Sequence, residues 1–278
     1  MNKLFTLILI LYTIGQVSAQ IKITSRVLDE STQSPIAYVN IGITTLDRGT
    51  ISDDEGYFSI EGEESSNVVS FSSIGYEGQS ISLSELKELG EILLKPKAYL
   101  IDQVEVVAER WSSENVLLGE KNKNRGHSIS FGSAQLGTEI GAAIAIDRQS
   151  YLKSANFVFN HAKGDSLLMR VNIYDFSTGE VGANILSDNI LIKDRQRKGL
   201  VSVDLTPYDL VVDHDVLLTL EWLRDFDEIG NKGITFDTKK SKKLKGVYLR
   251  HFSNGSFEKM DHPPKRKPCF YFIAKQIE

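Results

Sequence analysis

An all-β chain of two consecutive sandwiches, an immunoglobulin-like one followed by a jelly-roll-like one, is what this sequence predicts, and three observations carry the prediction. Apolar and polar residues alternate with period two in one stretch after another: Ile21, Ile23 and Val27 against Lys22, Thr24 and Arg26, or Met169, Val171 and Ile173 against Arg170, Asn172 and Tyr174. That is the pattern of strands with two unlike faces. In the second half, beyond residue 128, no window of a dozen residues keeps the 3.6-residue period of an amphipathic helix. The length, 278 residues of which 41% are hydrophobic, suits two cores better than one. The expected boundaries are a targeting segment at residues 1–19, a first sandwich at 20–109, a linker at 110–128 and a second sandwich at 129–278.

The targeting segment has Lys3 near its start, is apolar over residues 4–14 apart from Thr6 and Thr13, and ends on the small residues of Val17-Ser18-Ala19. This is the pattern of a secretory signal peptide, and it predicts a mature chain that starts at Gln20 outside the cytoplasm. The apolar stretch falls short of the roughly 20 residues that span a bilayer, and no comparable run follows, so no transmembrane segment is expected in the mature chain. No cysteine stands near the cut to carry a lipid anchor.

In the first sandwich, Ser31-Thr32-Gln33-Ser34-Pro35 turns the chain after the opening strand, and Val39, Ile41 and Ile43 then alternate with Asn40, Gly42 and Thr44. Gly49-Thr50-Ile51-Ser52-Asp53-Asp54-Glu55-Gly56-Tyr57-Phe58 reads as a hairpin. Its acidic side chains can accept from nearby backbone N–H groups, and Gly56 can take a positive φ without steric cost. Phe71-Ser72-Ser73-Ile74-Gly75-Tyr76 is a second strand leading into a turn. Strand candidates at 68–71, 81–83, 91–96 and 103–107, with one helical turn at 84–89, complete a sandwich of seven or so strands.

In these residues the segment resembles the carboxypeptidase-D regulatory-like domain, a small transthyretin-like β-sandwich. Both halves of that family's pattern stand here, Gly-Thr-x-Ser-Asp-x-x-Gly-x-Phe and Phe-Ser-x-x-Gly-Tyr. Ser34-Pro35-Ile36-Ala37-Tyr38-Val39-Asn40-Ile41 matches its proline-led second strand, and Ile101-Asp102-Gln103-Val104-Glu105-Val106-Val107 its exit, with Gln103 in place of the common acidic residue. The resemblance implies a scaffold or interaction module of an exported Gram-negative protein, without an active site of its own. Such domains also stand beside metallocarboxypeptidase catalytic units and at the N-terminus of TonB-dependent transporters. Neither neighbour is expected here: the residues after 128 are too few for a transporter barrel, and none of the five histidines begins a His-x-x-Glu zinc-ligand pair.

A net charge of −5 gives no bulk reason to expect nucleic acid as a partner. The single cysteine, Cys269, rules out an internal disulfide, and it opens the apolar run Cys269-Phe270-Tyr271-Phe272-Ile273-Ala274, so a half-buried strand thiol is expected. Residues 111–128 are polar and unpatterned, hence the linker. Beyond them alternation returns in Ala155, Phe157 and Phe159, in Val201, Val203 and Leu205, and in apolar runs at 216–222, 233–236, 246–250 and 269–274. These predict the jelly-roll-like sandwich. Trp222 shares a strand face with Val216, Leu218 and Leu220 and belongs in its core.

For chemistry the sequence offers little. Neither His-Glu-x-x-His nor Gly-x-Ser-x-Gly occurs. Asp213-His214-Asp215 has metal-ligand residue types, but successive strand residues alternate faces, so it is read as a polar corner. Asp53-Asp54-Glu55-Gly56 lacks the alternating oxygen ligands of a calcium loop. No catalytic residue, metal or cofactor is assigned. Lys239-Lys240-Ser241-Lys242-Lys243-Leu244-Lys245 puts five cations in seven residues and reads as a mobile loop between strands, with Lys265-Arg266-Lys267 adding three more. Outside the inner membrane, anionic polysaccharide and lipid headgroups are the available counterparts.

The residues singled out for ligand contact are Lys240 and Lys243 of that run, with Tyr248, Arg250 and Phe252. The last three, together with Phe257, form either an aromatic surface or a buried second sheet face. The expected function is a non-catalytic interaction or scaffold protein of the cell envelope, partnered by an envelope protein or a polysaccharide. The alternatives are a carbohydrate-binding accessory of glycan uptake and a glycan hydrolase whose paired carboxylates sequence alone cannot place.

Overall fold

The computed structural model describes residues 20–63, 67–97, 111–121, 128–131, 136–162, 167–194, 198–223, 234–242, 244–260 and 266–278. The targeting segment, the exit strand expected at 103–107, Lys243 and Lys265 lie outside the described residues.

The first unit runs β1 (Gln20–Asp29), β2 (Asn40–Ile43), β3 (Arg48–Ile51), β4 (Tyr57–Glu63), β5 (Val68–Ser72), β6 (Gln79–Ser82), α1 (Leu83–Leu89) and β7 (Glu91–Leu94). Strands β4, β1 and β7 form one sheet, and β3, β2, β5 and β6 the other. The residues that alternate in the sequence as apolar meet in one core, in which Val27, Ile41, Phe58 and Phe71 are all buried and the Phe58 and Phe71 rings meet edge to face at 5.6 Å. Helix α1 is the expected helical turn: the Ser82 hydroxyl accepts from the Glu85 N–H at 3.2 Å, and Leu83 and Leu86 reach the core.

The polar residues of the two-part motif serve the backbone. Ser52 Oγ accepts from the Val39 N–H at 2.8 Å and donates to the Ile36 carbonyl at 3.1 Å. Asp53 Oδ1 accepts from the N–H groups of Glu55 and Tyr57, at 2.9 and 2.8 Å. The Tyr76 hydroxyl donates to Asp29 Oδ2 at 3.0 Å, while Asp29 Oδ1 holds the N–H groups of Ser31 and Thr32. Gly56 closes the hairpin at φ 82°, and a Cβ there would lie 2.6 Å from the Val27 carbonyl oxygen. Gly56→Val is therefore expected to destabilise the chain by about 1 kcal/mol or more, read as a lower urea midpoint; an unchanged midpoint would show that the turn accepts a side chain.

The second unit runs β8 (Val116–Gly119), β9 (Ser128–Phe131), β10 (Glu139–Ile144), β11 (Ser150–Ala162), β12 (Leu167–Asp175), β13 (Ile190–Asp194), β14 (Gly199–Asp204), β15 (Val211–Val212), β16 (Val216–Trp222), β17 (Ile234–Lys240), β18 (Leu244–Arg250), β19 (Glu258–Lys259), β20 (Arg266–Pro268) and β21 (Phe270–Gln276). One sheet has the order β13-β12-β16-β10-β18-β19; the other follows β20-β17-β11-β21-β8, with β14 and β15 added along β11 and β9 along β17. After β10 the chain passes repeatedly from one sheet to the other, the crossing pattern of a jelly roll. The core between the sheets is built on Trp222, Met169 and Val171 from the first and Phe157, Phe236 and Phe270 from the second. Phe157 and Phe236 both meet the Phe270 ring edge to face, at 4.9 and 5.0 Å. Cys269 is fully buried.

Two sequence expectations are corrected. Residues 110–128 are not a plain linker: β8 pairs antiparallel with β21, Leu118 opposite Phe272, and Trp111 bridges to Ile277. Three apolar residues, Val116, Leu117 and Leu118, sufficed to add an edge strand, and the polar residues on either side concealed them. The lysine run is likewise not one loop. Lys239 and Lys240 end β17, Lys245 stands in β18, and the two strands belong to different sheets, so the run is a short crossover. Pairing with β20 extends β17 into residues whose charge reads as loop. Among the described residues, no helix is long and apolar enough to cross a membrane.

Candidate functional site

The strand register of the six-stranded sheet sets four charged residues in a line. Arg170 of β12 stands opposite Glu221 of β16, Glu221 opposite Glu139 of β10, and Glu139 opposite Arg250 of β18. Their chain neighbours Val171, Leu220 and Ile140 point into the sandwich core, so the charged side chains occupy the outer face. That face is nevertheless buried: Arg170 is 1% exposed, Glu139 and Glu221 are fully covered, and Arg250 is 8% exposed.

Burial of four charges requires pairing, and each charge has it. Arg170 Nε donates to Glu221 Oε2 at 2.8 Å. Arg250 Nη2 contacts Glu139 Oε2 and reaches Glu221 Oε1 at 3.4 Å. The Asn172 amide divides itself between the two carboxylates, donating at 2.9 Å to Glu139 Oε1 and to Glu221 Oε2. Tyr174 donates to Glu139 Oε2 at 3.2 Å, and the Thr219 hydroxyl donates to Glu139 Oε1. The two carboxylates differ in proton affinity. Burial pushes Glu139 up, Arg250 opposes the rise and neighbouring Glu221 adds to it. Burial also pushes Glu221 up, but Arg170 and then Arg250 outweigh it and hold the group below its ordinary value. Burial raises the Tyr174 phenol well above its ordinary range, so it stays a donor.

The first unit forms part of the cover. Arg170 Nη1 donates to the Tyr38 carbonyl at 2.9 Å and to Asn189 Oδ1 at 3.0 Å, and Nη2 donates to Asn40 Oδ1 at 3.0 Å. Tyr38 holds φ 59°, a strained value for a bulky residue, while its ring packs with Ile51, Leu168 and Leu223 in an apolar cluster shared by both units. From the other side, Asn254 Nδ2 donates to the carbonyls of Asn40 and Ser70, at 3.1 and 2.9 Å, and Ser72 Oγ donates to Asn254 Oδ1 at 2.6 Å. The loop carrying Asn254 rests directly on Gly42 and Gly49.

Between the turn after β5 and this outer face the units leave a cleft of about 240 Å³. Ser72, Ser73 and Tyr76 of the motif form one side, and Arg170, Arg250 and Asn184 belong to the other. Of the residues singled out in the sequence, Arg250 lies in the charged line and lines this cleft. Tyr248 and Phe252 are buried, Tyr248 in an apolar cluster with Tyr174, Phe176 and Leu217 to which half-buried Phe257 adds, so these aromatics belong to a covered second sheet face rather than an open surface. Lys240 is exposed at the far end of β17. At the polar corner, His214 contacts Asp213 and Asp175 while Asp215 Oδ1 accepts from the Ile146 N–H, so the three side chains serve different partners. Sequence reasoning passed over Glu139, Arg170, Asn172, Glu221 and Asn40; only the register shows that they converge.

Residues 23–106 match the CarboxypepD_reg-like domain family, and the first unit is a domain of that class. No curated protein matches the chain. Among solved structures, the cysteine protease and lectin-like domains of Cwp84, a surface layer associated protein of Clostridium difficile, are similar over 81% of this chain and 48% of that one, at 10% identity and a TM-score of 0.41. The chain thus spans about half the length of that structure.

Proposed function

We propose that this protein is a non-catalytic, exported interaction protein of the cell envelope, in which the CarboxypepD_reg-like domain braces a second sandwich that meets an envelope protein or polysaccharide. The lock between the units carries this reading: Arg170, Asn40 and Asn254 spend their polar groups on joining the two sandwiches. Export rests on the signal-peptide pattern of residues 1–19. Paired carboxylates of divergent proton affinity are also what a glycan hydrolase needs. Here, however, Glu139 and Glu221 are fully buried, share Asn172 and take bonds from arginine, threonine and tyrosine, which favours a structural role for the pair.

The surface best suited to an anionic partner is the edge formed by β17 and β20, where Lys239 stands opposite Lys267 and Lys240 opposite Arg266. Like charges placed directly across strands repel, and an anion relieves the repulsion. The wild type is expected to be retained on immobilised anionic polysaccharide at low salt and released as ionic strength rises. A variant with Lys239, Lys240, Lys242, Lys243 and Lys245 changed to glutamine should pass through. Equal behaviour of the two proteins would remove this surface from the reading. A second reading, a carbohydrate-binding accessory of glycan uptake, is favoured by the amides and hydroxyls of Asn40, Asn184, Ser72 and Ser73 around the interdomain cleft.

A further inference from the structure

Strand β4 ends its sheet: among the described residues it pairs with β1 alone, and no strand lies along its other side. The direction of its backbone groups follows from the turn before it. Tyr57 uses both of its backbone groups on Asp53, the N–H donating to Oδ1 at 2.8 Å and the C=O accepting from the Asp53 N–H at 2.8 Å. The Gly56 carbonyl instead accepts from the Val27 N–H of β1. Even-numbered residues of β4 therefore turn to β1 and odd-numbered ones to the open side. Glu63 obeys the same parity at the far end, where its N–H donates to Asn67 Oδ1 at 2.6 Å. Between these closed ends, Ser59 and Glu61 present N–H and C=O groups to a side that no described strand occupies.

A cavity of about 370 Å³ lies against this edge. Phe58 from the core face of β4 and Tyr57 and Ser59 from its outer face all line it, which places it beside the strand rather than over one face. Ile51 with Leu136 and Leu223 of the second unit gives it an apolar wall, and Asp53 and Asp54 add two carboxylates. No lysine or arginine is among the described residues that line it. The fold does not consume the negative charge. Asp53 commits only Oδ1, to the N–H groups of Glu55 and Tyr57, and exposed Asp54 has no hydrogen bond or ion pair among the described residues. Arg26, which lies over the Tyr57 ring at 4.7 Å, gives its Nε to the Glu55 carbonyl and forms no ion pair with either aspartate. Ser59 Oγ is shielded from water and has no hydrogen-bond partner among the described residues.

We infer that β4 is a docking edge for an extended, basic segment of an envelope protein. The segment adds a strand to β4 through Ser59 and Glu61, and one of its arginine or lysine side chains enters the cavity, with its stem against Ile51, Leu136 and Leu223 and its head group at Asp53 and Asp54. Sheet edges take extended peptides in this way, the main chain supplying affinity and pockets for alternate side chains supplying selectivity. A long cationic side chain lays its methylenes on apolar surface and keeps its charge at the polar rim, and a guanidinium matches a carboxylate edge. An anionic polysaccharide offers neither the main-chain ladder nor a charge that these aspartates accept. The inference rests on the reading of this chain as an interaction protein with an envelope-protein partner; it names the chemistry of that partner and brings the first unit into the surface that meets it.

Fluorescence anisotropy of the full mature chain with a labelled, amidated pentapeptide, Thr-Val-Arg-Val-Thr, tests it. The comparison peptides carry lysine, glutamate or citrulline, the uncharged isostere of arginine, at the centre. Two more are N-methylated on alternate amides, one on the valines and one on the other residues. The arginine or lysine peptide is expected to bind about fivefold more tightly than the citrulline peptide and at least about tenfold more tightly than the glutamate peptide. Asp54→Asn, at a side chain the fold does not use, should remove the preference for arginine over citrulline and leave citrulline binding as it was. Glu61→Pro deletes one donor on the open side of an edge strand, where proline is tolerated, and should weaken every peptide by about tenfold. Methylation of the amides that face β4 should abolish binding, so at least one of the two N-methylated forms is lost. Absence of binding by both basic peptides, an arginine preference that survives Asp54→Asn, unchanged binding by Glu61→Pro, or full binding by both N-methylated forms would overturn the site. Retention on anionic polysaccharide through the β17–β20 edge is measured separately and needs neither aspartate, so it can stand when the β4 edge fails.

Discussion

Arg170→Met is expected to destabilise the chain by about 3–5 kcal/mol, the cost of stranding a buried charge by removing its partner. Arg170 is the stronger of the two counter-charges of Glu221 and also the donor to Tyr38 and Asn40 across the interface. Methionine fills similar space but offers nothing to any of the three. The loss should depend on pH with a definite sign. In the native chain burial raises the Glu221 pKa, but Arg170 and Arg250 overcome it and the net shift is downward. A carboxylate depressed in this way contributes stability that is present above its unfolded value, about 4.3, and is lost as pH falls through its lower native value. Without Arg170 the burial effect prevails, Glu221 favours its protonated form, and the variant loses least in acid. Urea unfolding at pH 7 and at pH 4 should show the gap between wild type and variant narrowing at the lower pH. A gap of equal size at both, or one below the roughly 1 kcal/mol of a surface ion pair, would mean that the line of charges is not held together by this guanidinium.

Alternation fixes which face of a strand a residue takes, and nothing about what covers that face. Arg170, Asn172 and Tyr174 alternate with Met169, Val171 and Ile173, and period two says correctly that they face away from the sandwich core. It does not say whether that second face meets water. Polar residues on it read as solvated, whereas here the first unit and the chain segments around Asn189 and Phe257 cover it. The lateral order Arg-Glu-Glu-Arg depends on pairing among β12, β16, β10 and β18, strands spread from residue 139 to residue 250, and strand order is not a local property. The first unit was legible where its signals are local: Asp53 bonds to the N–H groups of Glu55 and Tyr57, and Gly56 sits in the same tight turn. Trp222 and the phenylalanines of β11 and β21 were legible for the same reason, since strand face follows from the next residue but one. Edge strand β8 and the end of β17 were missed because a partner strand, β21 or β20, recruits residues whose own pattern is short or highly charged.

Gly42→Val is expected to uncouple the two units while each keeps its own sheets. Gly42 lies inside β2, between β3 and β5, where valine suits the strand itself. Its new carbon would, however, overlap the Ser253 carbonyl oxygen, and a Cβ at neighbouring Gly49 would come 2.6 Å from the Ser253 N–H nitrogen. Backbone, unlike the end of a flexible side chain, cannot step aside, so the 251–257 loop must lift. With it go the bonds of Asn254 to Asn40, Ser70 and Ser72, four contacts' worth of alignment together with the Ser253 bond to Asn40. Asn254 holds φ 61°, a left-handed conformation that asparagine tolerates, and the loop is shaped around that contact. Overpacking alone costs about 1–3 kcal/mol; opening the interface adds the exposure of Tyr38, Ile51, Leu168 and Leu223 to water. The wild type should unfold in a single calorimetric transition because Tyr38 and Asn40 of the first unit bond to Arg170 in the charged line of the second, whereas Gly42→Val should show two, with a larger radius of gyration before the first. Gly78→Ala, whose new carbon would meet nothing nearer than the Phe71 carbonyl at 3.6 Å, is the matched control and should keep the single transition. One unchanged transition in Gly42→Val would mean that the two sandwiches are held together by something other than this close approach of backbone to backbone.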